Sequence, residues 1–267
     1  MEQQAGAPMA SAETVSVVIP VKDDDVELVR CLEALSRQTR AADEVVVVDN
    51  GSSDASVEVA AREGTRVVRC DEPGIAAAAS HGYDCATGDL ILRLDADCVP
   101  DDSWVQQVSD AFACHPDIAA FTGGARFIDG PAFLRAPLAA VYLMAYAVAG
   151  GAALGHLPLF GSNLALRRTV WHEIRSVVHR HDPEVHDDLD LAFHLGEQHR
   201  IRYLRGVSMG MSMRPFASGS AFRRRVARGV HTVVVHWPRD FPPMRWRRRA
   251  RLVGARELPA VGKPVRR

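Results

Sequence analysis

Three short apolar runs, set apart by stretches of helical spacing, limit what this chain can fold into. Val15–Ile19, Val45–Val48 and Leu90–Leu94 have the length of strands and are almost continuous in Val, Ile and Leu, the pattern of strands covered by helices on both faces. Leu28, Leu32 and Leu35 recur at helical spacing after the first run, Ile75–Ala86 reads as a small-residue helix, and Val67–Val68 marks a short extra strand. Strand and helix alternating over residues 15–115 predict an α/β fold: a doubly wound, mostly parallel sheet flanked by helices, followed by a mainly helical C-terminal part. Pro20 suits a strand end, Asp49, Asn50 and Gly51 suit the turn that closes the second strand, and Asp54 is placed to cap the next helix.

With 267 residues, 47% of them hydrophobic, the chain can bury a core of normal size, as one large domain or two fused halves. The formal net charge of -1 conceals an asymmetry: residues 1–199 hold 14 Lys and Arg against 31 Asp and Glu, and residues 200–267 hold 18 against 2. A C-terminal third so basic suits phosphate or an anionic membrane surface. No nucleic-acid reader motif accompanies the charge, so nucleic acid is not expected as a partner. The five cysteines form no CxxC pair and no zinc spacing, which points to reduced thiols and the cytoplasm. Residues 1–13 are expected to be a disordered leader without the features of a secretory signal, and 241–267, rich in Pro and Arg, a basic flexible tail.

From Arg135 to Arg167 no charged residue intervenes, and residues 138–154 are nearly all apolar. A membrane span needs ~20 such residues. A single crossing here would part the acidic residues before it from those after it, and Gly150, Gly151, Gly155 and Pro158 interrupt the run. The expectation is therefore a buried or interface-lying helix, with peripheral contact at the inner face of a membrane.

The chemistry is expected at the strand ends, because ligands of open α/β sheets bind beyond the carboxyl ends of the strands. Asp49 follows the second strand; its carboxylate suits the imide N–H of a uracil or the ring N–H of a guanine. Asp95 and Asp97 follow the Ile-Leu-Arg-Leu strand, and two carboxylates so placed can jointly hold a hard divalent cation that bridges a pyrophosphate. A second cluster, Asp187, Asp188 and Asp190, opens a helix carrying Leu189, Leu191, Phe193 and Leu195. Acids favour a helix N-terminus on structural grounds alone. Crowded carboxylates also raise one another's pKa, the direction useful in a general base.

Taken together, Val15–Val21, the stretch EVVVVDNGSSDAS over residues 44–56, LDADC over 94–98, Gly161-Ser162-Asn163 with Arg167-Arg168, and Asp187-Asp188-Leu189-Asp190-Leu191 resemble family 2 glycosyltransferases of the GT-A fold. The resemblance implies transfer of one sugar from a nucleoside-diphosphate sugar to an acceptor hydroxyl, with inversion. It implies Pro20, Val21 and Asp49 around the base and ribose, Asp95 and Asp97 carrying Mg or Mn on the diphosphate, and Asp188, with Asp187 beside it, in the place of the catalytic base. Gly161, Ser162 and Asn163 would line the acceptor side, for a carbohydrate or a lipid-linked acceptor. Residues 14–130 would then form the nucleotide-sugar-binding half and 131–240 the acceptor and catalytic-base half.

The chain departs from the family pattern in three places. Ala78-Ala79-Ser80-His81-Gly82 stands where an Ala-Arg-Asn-x-Gly segment usually helps hold the donor, Lys22-Asp23 replaces an aromatic-Asn pair, and the Gln-x-x-Arg-Trp of polymerising members is absent. The first leaves open a non-catalytic relative that binds nucleotide sugars or membranes. A nucleotidyltransferase is disfavoured, since residues 21–25 contain no glycine. Arg223, Arg224 and Arg225 read as the solvated face of a helix rather than as phosphate contacts.

Overall fold

A computed structural model describes residues 13–214 and 219–257. Its centre is an eight-stranded sheet. Strands β1 (Val15–Val21), β2 (Glu44–Asp49), β3 (Arg66–Arg69) and β4 (Leu90–Arg93) pair in parallel in the order β3-β2-β1-β4. The sheet continues through β7 (Leu164–Arg167), β6 (Ala120–Phe127), β8 (Ile201–Met211) and the two-residue β5 (Val99–Pro100). There β7 runs antiparallel to both β4 and β6, β8 lies parallel to β6, and β5 antiparallel to β8. The first half is thus the doubly wound parallel sheet that the apolar runs predict, and the second half is mixed.

Alternation along β1 and β2 sends side chains to two cores, as a pleated strand must. Val15, Val17, Ile19 and Val47 join Leu28 and Leu32 of helix α1 (Asp25–Ser36) and Trp104 and Phe112 of α4 (Trp104–Cys114). Val18, Val46 and Val48 face Ala77, Ala78 and Tyr83 of α3 (Ile75–Cys85), Trp171 of α6 (Arg168–Ile174) and Phe193 of α7 (Asp187–Gln198). The small residues of α3 let its backbone close on the sheet: a Cβ at Gly82 would stand 2.4 Å from Val18 Cγ1 and 2.7 Å from Val48 Cγ2. Asp54 stands one residue before Ala55, which takes the N-cap place of the short helix α2 (Ser56–Arg62). One carboxylate oxygen accepts from the Ser56 N–H, and the other accepts from the Asp25 N–H, tying the starts of α1 and α2 together.

The apolar run becomes α5 (Ala132–Leu154), 23 residues long. Ala139, with the partly buried Tyr142, Leu143 and Tyr146, packs on the core, while Phe133, Val141, Met144 and Val148 are 64–79% exposed, so a fully buried helix is not what forms. By length and composition α5 could cross a membrane. It leaves from β6 and returns to β7, however, and those strands are hydrogen-bonded neighbours, with Ala120 opposite Leu166. A single crossing would place neighbouring strands of one sheet on opposite sides of the bilayer.

The tail expectation is corrected for residues 242–257, which form helix α9 (Pro242–Glu257) against α5. The physical reason is Arg245, 2% exposed, whose guanidinium donates to the Leu154 and Phe193 carbonyls, pairs with Asp240 and lies over the Phe193 ring. Composition alone hides this, because one arginine with buried acceptors anchors a helix that otherwise looks solvated. Residues 258–267 of the expected tail and 1–12 of the expected leader lie outside the described residues. Glu13 is tied down by ion pairing with Arg167.

Candidate active site

Antiparallel pairing of β4 with β7 builds the site. Arg93 at the end of β4 stands opposite Leu164 at the start of β7, so the residues following one strand, Asp95 and Asp97, meet those preceding the other, the 3-10 turn Gly161–Asn163. Ser162 Oγ donates to Asp95 Oδ2 at 2.6 Å, and the Gly161 N–H donates to Asp188 Oδ2 at 2.6 Å. The N-terminus of α7 completes the rim, with His186 at its N-cap and three acids in its first turn.

Arg93, the last residue of β4, joins the two acidic clusters. Its guanidinium, 1% exposed, lies 2.8 Å from Asp95 Oδ1 and 3.1 Å from Asp187 Oδ2. Burial pulls its pKa down, but Asp187 and Asp95 outweigh that and hold it firmly charged. Gly161 has to be glycine here, since a Cβ would stand 2.0 Å from Arg93 Nη1. The one signal in the sequence was a lone arginine inside an otherwise apolar strand.

Two cavities that share Asp95, Ser162 and Arg225 in their walls open from this rim. One, of about 240 Å³, is lined among others by Asp95, Tyr146, Gly161, Asp188 and Arg228. The other, of about 250 Å³, is lined by Asp95, Asp97, Ser162, Met211, Ser212, Arg214 and Arg225. Arg224, Arg225 and Arg228, on helix α8 (Gly219–Val235), form a cationic wall of the first cavity, and Arg225 donates to the Tyr142 hydroxyl at 2.7 Å. Arg224 and Arg225 are exposed, as a basic helix face should be, yet both border this cavity beside Asp95 and Asp188.

The expected carboxylate crowding divides between two residues. Asp187 has its pKa raised, by burial first and by Asp188 in part, against the pull of Arg93. Asp188 moves the other way. Burial pushes it up, but the His186 imidazole at 2.5 Å, then Arg93 and the Gly161 N–H, hold it below the usual carboxylate range. Asp188 therefore stays charged, with each oxygen held by a donor. Asp97, by contrast, is pushed up to about 6 by burial and by the neighbouring Asp95. The donor set at Asp95 and Asp97 fits a hard divalent cation: two carboxylates at one strand end, with oxygens within 4.8 Å of each other.

Other expected residues fall elsewhere. Pro20, Val21 and Asp49 are buried at the paired ends of β1 and β2 and line neither cavity. Asp49 Oδ1 accepts from the Ser52 N–H at 2.9 Å, closing the turn that the sequence suggests there. Asn163 is corrected as an acceptor contact: its amide donates to the Gly124 carbonyl and accepts from the Trp104 indole, both buried. Its task is to hold the turn that presents Gly161 and Ser162. Arg167 and Arg168 turn away from the site to backbone carbonyls at Ile118 and Gly88.

A parallel half-sheet whose strand ends carry Asp95 and Asp97, continued by a mixed half that brings in a helix-borne carboxylate, defines a GT-A glycosyltransferase fold. The family model described as "Glycosyl transferase family 2" matches residues 16–170, and the chain belongs to that family. Among curated relatives it is 34% identical over 101 residues to the glycosyltransferase AglE of Haloferax volcanii, covering 35% of this chain and 33% of that protein. It is 41% identical over 95 residues to an undecaprenyl-phosphate 4-deoxy-4-formamido-L-arabinose transferase of Pseudomonas paraeruginosa, covering 32% of this chain and 28% of that protein. The matched stretch thus spans about a third of these relatives' length. Among solved structures, the mannosyltransferase PcManGT of Pyrobaculum calidifontis in complex with GDP-Man and Mn2+ aligns with a TM-score of 0.63 at 18% identity, over 94% of this chain and 76% of that one. The glucosyl-3-phosphoglycerate synthase of Mycobacterium tuberculosis, with Mn2+, UDP and phosphoglyceric acid, aligns with a TM-score of 0.57 at 18% identity, over 84% and 78%.

Proposed function

We propose that this chain transfers a single sugar from a nucleoside-diphosphate sugar to an acceptor hydroxyl, with inversion and with the help of a divalent cation. The observation that supports this most is the Arg93 bridge between Asp95 and Asp187, beside a cavity lined by Asp95, Asp187 and Asp188. Asp95 and Asp97 hold Mg2+ or Mn2+ on the diphosphate; when bound, the cation supplies positive charge to the departing nucleoside diphosphate. Mn2+ accompanies the nucleotide in both solved structures named above, which favours such an ion here. Arg214 and Arg225, facing Asp97 and Asp95 across the second cavity, neutralise the diphosphate from the other side.

Asp188 is the general base. It takes the acceptor proton as the acceptor oxygen attacks from the face opposite the diphosphate. His186 and the Gly161 N–H aim its carboxylate, and Asp187 acts through Arg93 to fix Asp95. Gly161 and Ser162 border the acceptor side, and Pro20, Val21 and Asp49 lie toward the nucleoside. Residues 14–130 serve as the donor half and 131–240 as the acceptor half.

The acceptor we favour is lipid-linked. The exposed apolar face of α5, beside the basic helix α8, suits the inner surface of a membrane from the cytoplasmic side, and one relative is named for an undecaprenyl-phosphate substrate.

The test is binding and hydrolysis of a panel of UDP-, GDP- and dTDP-sugars by the purified protein, with and without Mg2+ or Mn2+, beside Asp97→Ala. Cation-dependent binding of one donor, lost in the variant, is the expected result. A folded protein that binds none of them would be a non-catalytic member of the family.

A further inference from the structure

Behind the acidic rim, around Asp190 in the first turn of α7, four side chains converge that the transfer reaction does not use. Asp190 is 3% exposed. One carboxylate oxygen, Oδ2, accepts from the backbone N–H of His179 at 2.9 Å. The other, Oδ1, faces three imidazole nitrogens: His179 Nδ1 at 2.7 Å, His236 Nε2 at 3.3 Å and His194 Nε2 at 3.5 Å. The two Nε2 atoms are 3.4 Å apart.

The geometry of this cluster argues for a cation. The Thr232 carbonyl lies 2.7 Å from His236 Nδ1, so that nitrogen carries its hydrogen and Nε2 is the nitrogen turned toward Asp190 and His194. Two imidazole nitrogens and a carboxylate oxygen then meet in one place, an arrangement that a shared positive ion resolves. In a tetrahedral zinc site with bonds near 2.0–2.1 Å the donor atoms stand about 3.3 Å apart. Three of the four separations above are 3.3, 3.4 and 3.5 Å, and all four donor atoms lie within 4.8 Å of one another. The orienting contacts are also those of a metal site: a carbonyl on the far nitrogen of His236 and a backbone N–H on the far oxygen of Asp190. His236 is further fixed by stacking on Phe193, with centroids 4.0 Å apart. An entry path exists, since the His179 and His194 side chains are 34% and 17% exposed.

We propose that His179, Asp190, His194 and His236 bind one divalent transition-metal ion of the zinc class, distinct from any cation at Asp95 and Asp97. The four ligands come from three pieces of chain: the 175–186 segment, α7, and the residue directly following α8. The ion therefore fastens α8 and its cationic wall to the helix that carries Asp188. Thr232 extends the link, because its hydroxyl oxygen accepts from the His186 N–H at 2.7 Å. The role is structural, and the proposal stands apart from the transferase reading.

The experiment uses the full chain and a form carrying Asp95→Asn and Asp97→Asn, both stripped with a chelator and titrated with Co2+ and then Zn2+. The expected result in both is one equivalent of Co2+ with the strong visible absorption of a four-coordinate nitrogen and oxygen site, displaced by Zn2+, and a Tm that rises with stoichiometric Zn2+. His194→Gln and His236→Gln should each abolish the absorption and the Tm response. If the double Asp form does not fold, the unaltered chain beside His194→Gln decides alone. No absorption and no Tm response in the unaltered chain, or absorption that survives both histidine substitutions, would overturn the proposal and leave a hydrogen-bonded histidine cluster around Asp190.

Discussion

The guanidinium of Arg93 lies 3.1 Å from the carboxylate of Asp187 with only 1% of the arginine side chain exposed. Strand β4 and helix α7 meet through this pair, and nothing in either segment's local pattern announces it. Among the described residues Arg93 Nε and Nη1 have no hydrogen-bond partner, so the charge pairing, rather than a full set of hydrogen bonds, compensates its burial.

Removing that charge should therefore be costly. Arg93→Met leaves the half-buried Asp187 and Asp95 without the buried cation between them, and breaking a buried pair costs about 3–5 kcal/mol. Urea unfolding of the variant should show that loss in the midpoint. A loss under about 1 kcal/mol would mean that both carboxylates relax into water and that the bridge does not organise the site.

Gly161→Ala should destabilise by about 1–3 kcal/mol, the usual cost of overpacking, because the new Cβ would stand 2.0 Å from Arg93 Nη1. The cause can be checked with a double-mutant cycle. In the Arg93→Met background the same alanine should cost much less, and equal costs in the two backgrounds would place the strain elsewhere.

Asp188→Asn tests the base. The amide keeps the shape and can still accept from Gly161, so donor affinity should change little, while kcat should fall about 10²- to 10⁴-fold. A variant with unaltered kcat would remove Asp188 from the proton transfer.

His156 supplies a pH dependence away from the chemistry. Burial, with Arg249 and Arg245 nearby, lowers its pKa from 6.5 to about 3. Between those values the unfolded chain binds a proton that the folded chain does not, so stability falls as pH drops from 6.5 toward 3, by at most about 1.4 kcal/mol per pH unit. His156→Gln lacks this proton, and its Tm should decline less steeply than that of the unaltered protein over that window. Parallel acid limbs would show that His156 titrates normally in the fold.

The N-terminal half was largely legible in the sequence. Strands β1, β2 and β4 are near-continuous apolar runs, and Asp95 and Asp97 sit just after one of them, so local pattern and tertiary position coincide there. The order of strands beyond β4 was not legible, because β7 joins the sheet antiparallel after the long excursion through α5, and register across such a distance leaves no local mark.

From the sequence alone come the α/β class, the family, and the carboxylates that carry any chemistry, since these depend on periodicity and on neighbours in the chain. Tertiary structure alone decided which charges meet. It brought Arg93 to Asp187, turned Asn163 inward to Trp104, swung Arg225 over the cavity, and anchored α9 through Arg245. The reason is physical: a buried charge is tolerated only beside its partner, and that partner is chosen by packing across the sheet rather than by position along the chain.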